Sequence, residues 1–312
     1  MSEVVPFIVL TLQAAVRAGT PLLFAVLGSI LTERSGVMNL GIEGLMLVGA
    51  ISGFVASYHT GNLFLAIIVA MVAGSLLGLV HAFFTVTLRV NQIVSGLAIT
   101  MLGTGISGLW GKSYVGVVAP RFSVVRIPLL SDIPYVGTIL FNHSLLVYIS
   151  YLTVPLLWLF IYKTRIGMTL RAVGEAPEAA DSRGINVFAV RYLYTVLGCS
   201  ITAIGGAYLS LAYNSMWIEN MTAGRGWIAI ALVLFATWDP AKAMFGAYLF
   251  GGVTALGLRL QAIGANIPTE FLRMLPYLLT IVVLVFTSTE KLRLKVGAPA
   301  TLGTPYSREE KT

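Results

Sequence analysis

Residues 44–88 read GLMLVGAISGFVASYHTGNLFLAIIVAMVAGSLLGLVHAFFTVTL, a run without Asp, Glu, Lys or Arg between Glu43 and Arg89. Crossing the roughly 30 Å hydrocarbon layer of a bilayer takes about 20 apolar residues in a helix, so this run holds two crossings. Similar charge-free runs lie between Arg89 and Lys112, Asp132 and Lys163, Arg191 and Glu219, and Arg273 and Glu290. They place nine candidate spans, at about 5–31, 38–58, 63–88, 92–111, 144–162, 192–213, 226–238, 243–258 and 274–289. The seventh is short, and a hidden or re-entrant piece near 112–142 would make a tenth.

The composition agrees. Of 312 residues, 20 are Lys or Arg and 13 Asp or Glu, so 11% are charged while 57% are hydrophobic. Soluble domains carry about 25% charge. A soluble enzyme, a nucleic-acid binder and a disordered chain are excluded. The expected fold class is all-α, a polytopic integral membrane protein of about nine or ten transmembrane helices, with residues 1–312 forming one domain. The 32 glycines, many inside the spans, suit close helix packing in lipid. Cys199 is a single cysteine in an apolar stretch and reads as a small packing residue.

The net charge of +7 reads as topology, because Lys and Arg collect in cytoplasmic loops. The connection at 164–190 is flanked by Lys163 and Arg191 and contains Arg165, Arg171 and Arg183. The tail at 290–312 carries Lys291, Arg293, Lys295, Arg308 and Lys311. Both are expected in the cytoplasm, and the even number of spans between them permits it. Nine spans then put the N-terminus outside; ten would put it inside.

Two nucleotide-like patterns mislead. Gly103-Thr104-Gly105-Ile106-Ser107-Gly108 fits G-x-G-x-x-G, but a dinucleotide site needs that turn between a strand and a helix of a βαβ unit. Gly111-Lys112-Ser113 resembles the end of a phosphate loop, yet Ile106 stands where its first glycine belongs. The chain is expected to bind no ATP, cofactor or metal itself and to be no enzyme. His59, His81 and His143 are isolated in sequence.

Residues 171–186, RAVGEAPEAADSRGIN, are the informative loop. Pro177 suits the first position of a helix, where its missing N–H is not needed. Glu178 and Asp181 sit near the positive helix N-terminus, and Gly184 can adopt the left-handed conformation that ends it. The result is a helix of about seven residues, roughly 10 Å long. Its alanines offer a small flat face suited to a groove in another protein, although short interfacial helices are also common in membrane proteins.

Glu178-Ala179-Ala180-x-x-x-Gly184 resembles the E-A-A-x-x-x-G signature of ABC importer permeases, in which this loop forms the coupling helix seated in the ATPase subunit. The surrounding residues are similar to the permease family serving ribose, branched-chain amino acids and nucleosides. They depart from the longer signature of other importers by lacking its I-x-L-P element. Residues 35–46, SGVMNLGIEGLM, look like the nucleoside-type branch, associated with basic membrane lipoproteins. Further similarity runs through 91–96, 222–226 and 274–277, so the likeness spans about residues 10–290. It implies a permease subunit in a bacterial or archaeal cell membrane, carrying a nucleoside or related sugar-containing solute inward. Its expected partners are a separate ABC ATPase holding ATP and Mg, a second homologous permease in a heterodimer, and an external binding lipoprotein. The ATPase-coupling residues would be Gly174, Glu175, Pro177, Glu178, Ala179, Ala180 and Gly184. An ion-coupled secondary transporter is the alternative class, since it too uses broken helices and midplane charges.

Polar groups inside spans are costly and usually face protein or water. Glu43, close to Asn39, either lines the path, fixes a broken helix beside it, or lies at the cytoplasmic interface paired with a base such as Arg34. Arg17 is a pathway residue or a counter-charge for Glu43. Asn91 and Gln92 line the path or cap their span. Glu219, Asn220 and Arg225 fall in the connection at 214–225 and face the external receptor, or are simply the polar residues of an outer loop.

Overall fold

In lipid every backbone N–H and C=O must be bonded within the protein, which leaves apolar runs only the helix. The computed structural model describes residues 4–262, 268–287 and 297–308. Its long helices are α1 (Val4–Glu33), α2 (Ile42–Thr60), α3 (Leu63–Ala82, continued by a π turn to Thr87) and α4 (Gln92–Gly111). After a short helix α5 (Val136–Leu140) come α6 (Leu145–Lys163), α7 (Arg165–Glu175), α8 (Pro177–Ser182) and α9 (Val187–Tyr208, with a π turn to Tyr213). The chain ends in α10 (Arg225–Ala236), α11 (Pro240–Ala262) and α12 (Thr269–Thr287). Seven helices are long and apolar enough to cross a membrane among the described residues, and α10 is a shorter apolar one. The segment at 112–142 contains no long helix; its strands β1 (Val124–Arg126) and β2 (Asn142–Ser144) form an antiparallel hairpin.

The boundaries have local causes. Asn62 accepts from the N–H groups of Phe64 and Leu65 and caps α3, while Gly61, at φ +67°, ends α2 in the left-handed region. The connection between these helices is therefore reduced to two residues.

Helices α1 and α2 are buried along most of their length, packed by α9, with α11 and α3 beside them. On α3 and α4 the large apolar side chains Ile68, Val72, Leu76, Val94, Met101 and Leu109 are more than half exposed. In water such a surface would aggregate; against lipid it is the expected coat. The interior is packed through glycines. At Gly206 an added Cβ would overlap the Met46 carbonyl, and at Gly49 it would overlap Ala203. Gly206→Ala is expected to lower unfolding free energy by about 1–3 kcal/mol through overpacking, read as a lower melting temperature in detergent. Within the false dinucleotide pattern, Gly103 is pressed against Gly44, whereas Gly105 faces open space.

Candidate functional site

Depth in the membrane follows from α4, a continuous helix starting at Gln92 on the face that bears α8. Gly103 lies eleven residues further on, about 16 Å along the axis at about 1.5 Å per residue. Because Gly103 packs against Gly44, the start of α2 lies near the bilayer midplane and not at its surface. The non-helical segment 34–41 climbs from the α8 face to this level. Asn39 is buried there; its Oδ1 accepts the Gly41 N–H at 2.7 Å, and its Nδ2 lies 3.3 Å from the Cys199 Sγ.

Glu43, in the first turn of α2, is the polar centre of this level. One carboxylate oxygen accepts from the Thr222 hydroxyl at 2.6 Å and the Gly224 N–H at 2.8 Å. The other accepts from the Gly226 N–H at 2.6 Å. Gly224 precedes α10 in the left-handed region, at φ +81°. The carboxylate thus sits at the positive ends of both α2 and α10 and takes up backbone donors that would otherwise be orphaned in lipid. With 12 residues, α10 is about 18 Å long, half a membrane. Its far end reaches the α8 face, where the Trp238 indole N–H donates to Glu33 at 2.6 Å and Arg34 donates to the Trp238 carbonyl at 3.2 Å.

Above Glu43, a cavity of about 780 Å³ occupies the half of the membrane away from α8. Glu219, Arg225, Thr254, Gln261 and Tyr277 supply its polar groups, and Ile218, Ile228, Leu258 and Leu272 its apolar wall. The Tyr277 hydroxyl donates to the Ala223 carbonyl at 3.2 Å, and its side chain lines the cavity. Arg225 is held by the Met221 and Thr222 carbonyls.

Several expectations about placement change. Glu43 is bound by neither Arg34 nor Arg17: its acceptors are filled by the loop at 222–226, and Arg34 is spent on Gly297, Tyr162 and Trp238. The segment 214–225 is not simply an outer loop, because it descends from the far surface, where Met216 bridges Val118, to Glu43. Arg225 consequently lies inside, one residue from the Glu43 contact, while Glu219 and Asn220 are exposed nearer the mouth. Asn91 is the α4 cap, its Oδ1 accepting from Ile93 and Val94. Gln92 is buried and accepts the Met38 N–H at 2.6 Å, so it fixes the 34–41 segment. Arg17 is 16 residues, about 24 Å, from the end of α1 and lines small cavities toward the far surface. Thr222, Thr254, Gln261 and Tyr277 were not among the expected site residues. A usable signal existed, since Thr254, Leu258 and Gln261 fall at i, i+4 and i+7 on one face of α11.

On the opposite face, α8 begins with Pro177 and ends before Gly184, at φ +82°. Glu178, Ala179, Ser182, Arg183 and Gly184 are exposed. The two alanines part ways: Ala179 faces out, whereas Ala180, 4% exposed, is packed against Val173, Val187 and Tyr306 of its own chain. Gly174 is buried and Glu175 exposed, and oxygens of both accept from the tail, Gly174 from Thr301 and Glu175 from Ala300. Arg308 binds Asp181 through two nitrogens, which holds the Asp181 carboxyl below its ordinary range. Of the basic residues expected in the tail, Lys291, Arg293, Lys295 and Lys311 lie outside the described residues. No group of three or more His, Cys, Asp or Glu side chains able to hold a metal occurs among the described residues.

A broken helix anchored at mid-membrane, and a short exposed helix between spans, make a transport function the natural comparison. Residues 11–284 match the family described as branched-chain amino acid transport system / permease component. The chain belongs to this permease family. It is 41% identical to a putative glucose ABC transporter permease protein of Haloferax volcanii, over 96% of this chain and 97% of that protein. It is 36% identical to a nucleoside ABC transporter permease protein of Lactococcus lactis, over 85% and 88% of the two chains. A guanosine ABC transporter permease protein of Bacillus subtilis is 32% identical over 97% and 98%. No solved structure is a significant match. The permease is thus a multi-pass membrane protein of the ABC transporter class, and its relatives are transport subunits and not enzymes.

Proposed function

We propose that this permease imports a nucleoside, using ATP hydrolysed by a separate ATPase subunit and solute delivered by an external binding lipoprotein. The observation that carries the reading is α8, whose exposed Glu178 and Ala179 project from the face where α10 ends. That face, with the C-terminal tail, is cytoplasmic in this reading, in a bacterial or archaeal cell membrane. Motion received by α8 passes through the ends of α1 and α10 to the Glu43 anchor, and switches access to the cavity above it. ATP and Mg reside in the partner ATPase. A second, homologous permease completes the path.

The cavity suits the solute class. The aromatic ring of Tyr277 in the lining offers apolar contact to a planar base, and Glu219, Arg225, Thr254 and Gln261 offer donors and acceptors to a ribose. The likeness to a putative glucose permease supports a second reading, a sugar.

The test is reconstitution of the permease pair and ATPase in vesicles with the binding protein outside. Labelled guanosine is expected to accumulate only with ATP present, with excess unlabelled nucleoside blocking uptake and glucose leaving it unchanged. Blockage by glucose alone would favour the sugar. Accumulation that needs an ion gradient and no ATPase would establish the ion-coupled class instead.

A further inference from the structure

The tail segment 297–308 has no part in the reading above, yet it is bonded to nearly every element of the α8 face. We propose that it is a strap that positions the coupling helix, so that force on α8 reaches the spans; this rests on the coupling role proposed for α8.

A helix of six residues cannot hold itself. Toward its own chain, α8 buries only Pro177 and Ala180, and Ala180 packs against Tyr306, itself only 6% exposed. The Tyr306 ring also packs on Phe188 and lies beneath the Arg191 guanidinium. Asp181, the residue after Ala180, is bound by Arg308 and meets the Tyr306 hydroxyl. The tail therefore holds α8 at two successive residues, Ala180 and Asp181.

The strap is tied down in turn to the spans. The Thr301 N–H and hydroxyl both donate to the Gly174 carbonyl at the end of α7, at 3.1 and 2.7 Å. Arg191 of α9, 1% exposed, donates to the Thr304 carbonyl and the Thr301 hydroxyl. Gln92 at the start of α4 donates to the same Thr304 carbonyl, and Arg34 at the end of α1 donates to Gly297. Arg34 also holds Trp238, at the end of α10. Buried arginines that donate to tail carbonyls tie the tail to the interior, unlike a tail resting on a surface. The strap joins α8 to the ends of α1, α4, α9 and, through Arg34, α10, whose other end is the Glu43 anchor.

The experiment uses the whole transporter in vesicles, with the permease as wild type, as Tyr306→Phe, as Tyr306→Ala, and ending at Val296. Co-purification with the ATPase, ATP hydrolysis and guanosine taken up per ATP are measured together. Tyr306→Ala and the shortened chain are expected to keep the ATPase and hydrolyse ATP within about twofold of wild type, while uptake per ATP falls about tenfold. Tyr306→Phe keeps the ring and the Arg308–Asp181 pair, losing only the hydroxyl's contacts with them, and is expected to stay within about twofold of wild type. Uptake per ATP that stays within about twofold in Tyr306→Ala and the shortened chain would overturn the strap. So would a parallel loss of co-purification, hydrolysis and uptake, or failure to recover either variant folded, since the tail would then serve assembly alone. A wild-type complex without ATP-dependent uptake would instead refute the coupling role of α8.

Discussion

Glu43→Gln is expected to lose nearly all uptake and to melt at a lower temperature. Three donors converge on the two oxygens of Glu43, from Thr222, Gly224 and Gly226. Glutamine keeps the shape but offers one acceptor oxygen, and its NH2 group would face an N–H or hydroxyl that has nowhere to turn. Each buried donor left without a partner costs about 1–3 kcal/mol, and water cannot readily substitute at this depth. The N-terminus of α10 would be released, and with it the floor of the cavity that contains Arg225. Glu43→Asp retains both oxygens but withdraws them by one methylene, so its loss should be intermediate. Thermal unfolding in detergent and vesicle uptake check both. Unchanged melting and full transport in Glu43→Gln would show that the carboxylate does not hold α10.

The second large effect separates docking from packing on a single short helix. Ala179→Arg places a long cation on the exposed side of α8 without touching the interior, so stability should change by no more than about 0.5 kcal/mol. Co-purification with the ATPase subunit should nevertheless fall to about a tenth or less, since one arginine in a close interface can oppose more than the 1.4 kcal/mol that a tenfold change requires. Ala180→Arg behaves in the opposite way: its side chain enters the space filled by Val173, Val187 and Tyr306, and the permease itself should be destabilised. If Ala179→Arg binds the ATPase as tightly as wild type, α8 is not the docking element. If the two variants lose stability equally, the inward and outward faces of α8 have been misassigned.

The span pattern was legible because lipid imposes a severe rule: a charge-free run of sufficient length has to be a helix. The sites expected at helix ends also followed from local chemistry, as with Pro177 at the start of α8 and the left-handed Gly184 beyond it. Long-range partners had no such local mark. Glu43 meets a loop about 180 positions later, and nothing in its neighbourhood distinguishes that partner from the nearer Arg34. Likewise Ala179 and Ala180 are the same residue side by side; only the packing of Tyr306, far along the chain, turns one inward.

The order of residues alone therefore determined that the chain crosses a membrane as helices, and where a short helix interrupts them, because burial in lipid and backbone capping act over a few turns. Tertiary structure alone decided that 214–225 descends into the membrane, that Glu43 joins two helix ends, and that the tail lies across α8. Those depend on which polar group is nearest in space once the helices have packed, a distance that no local pattern of residues records.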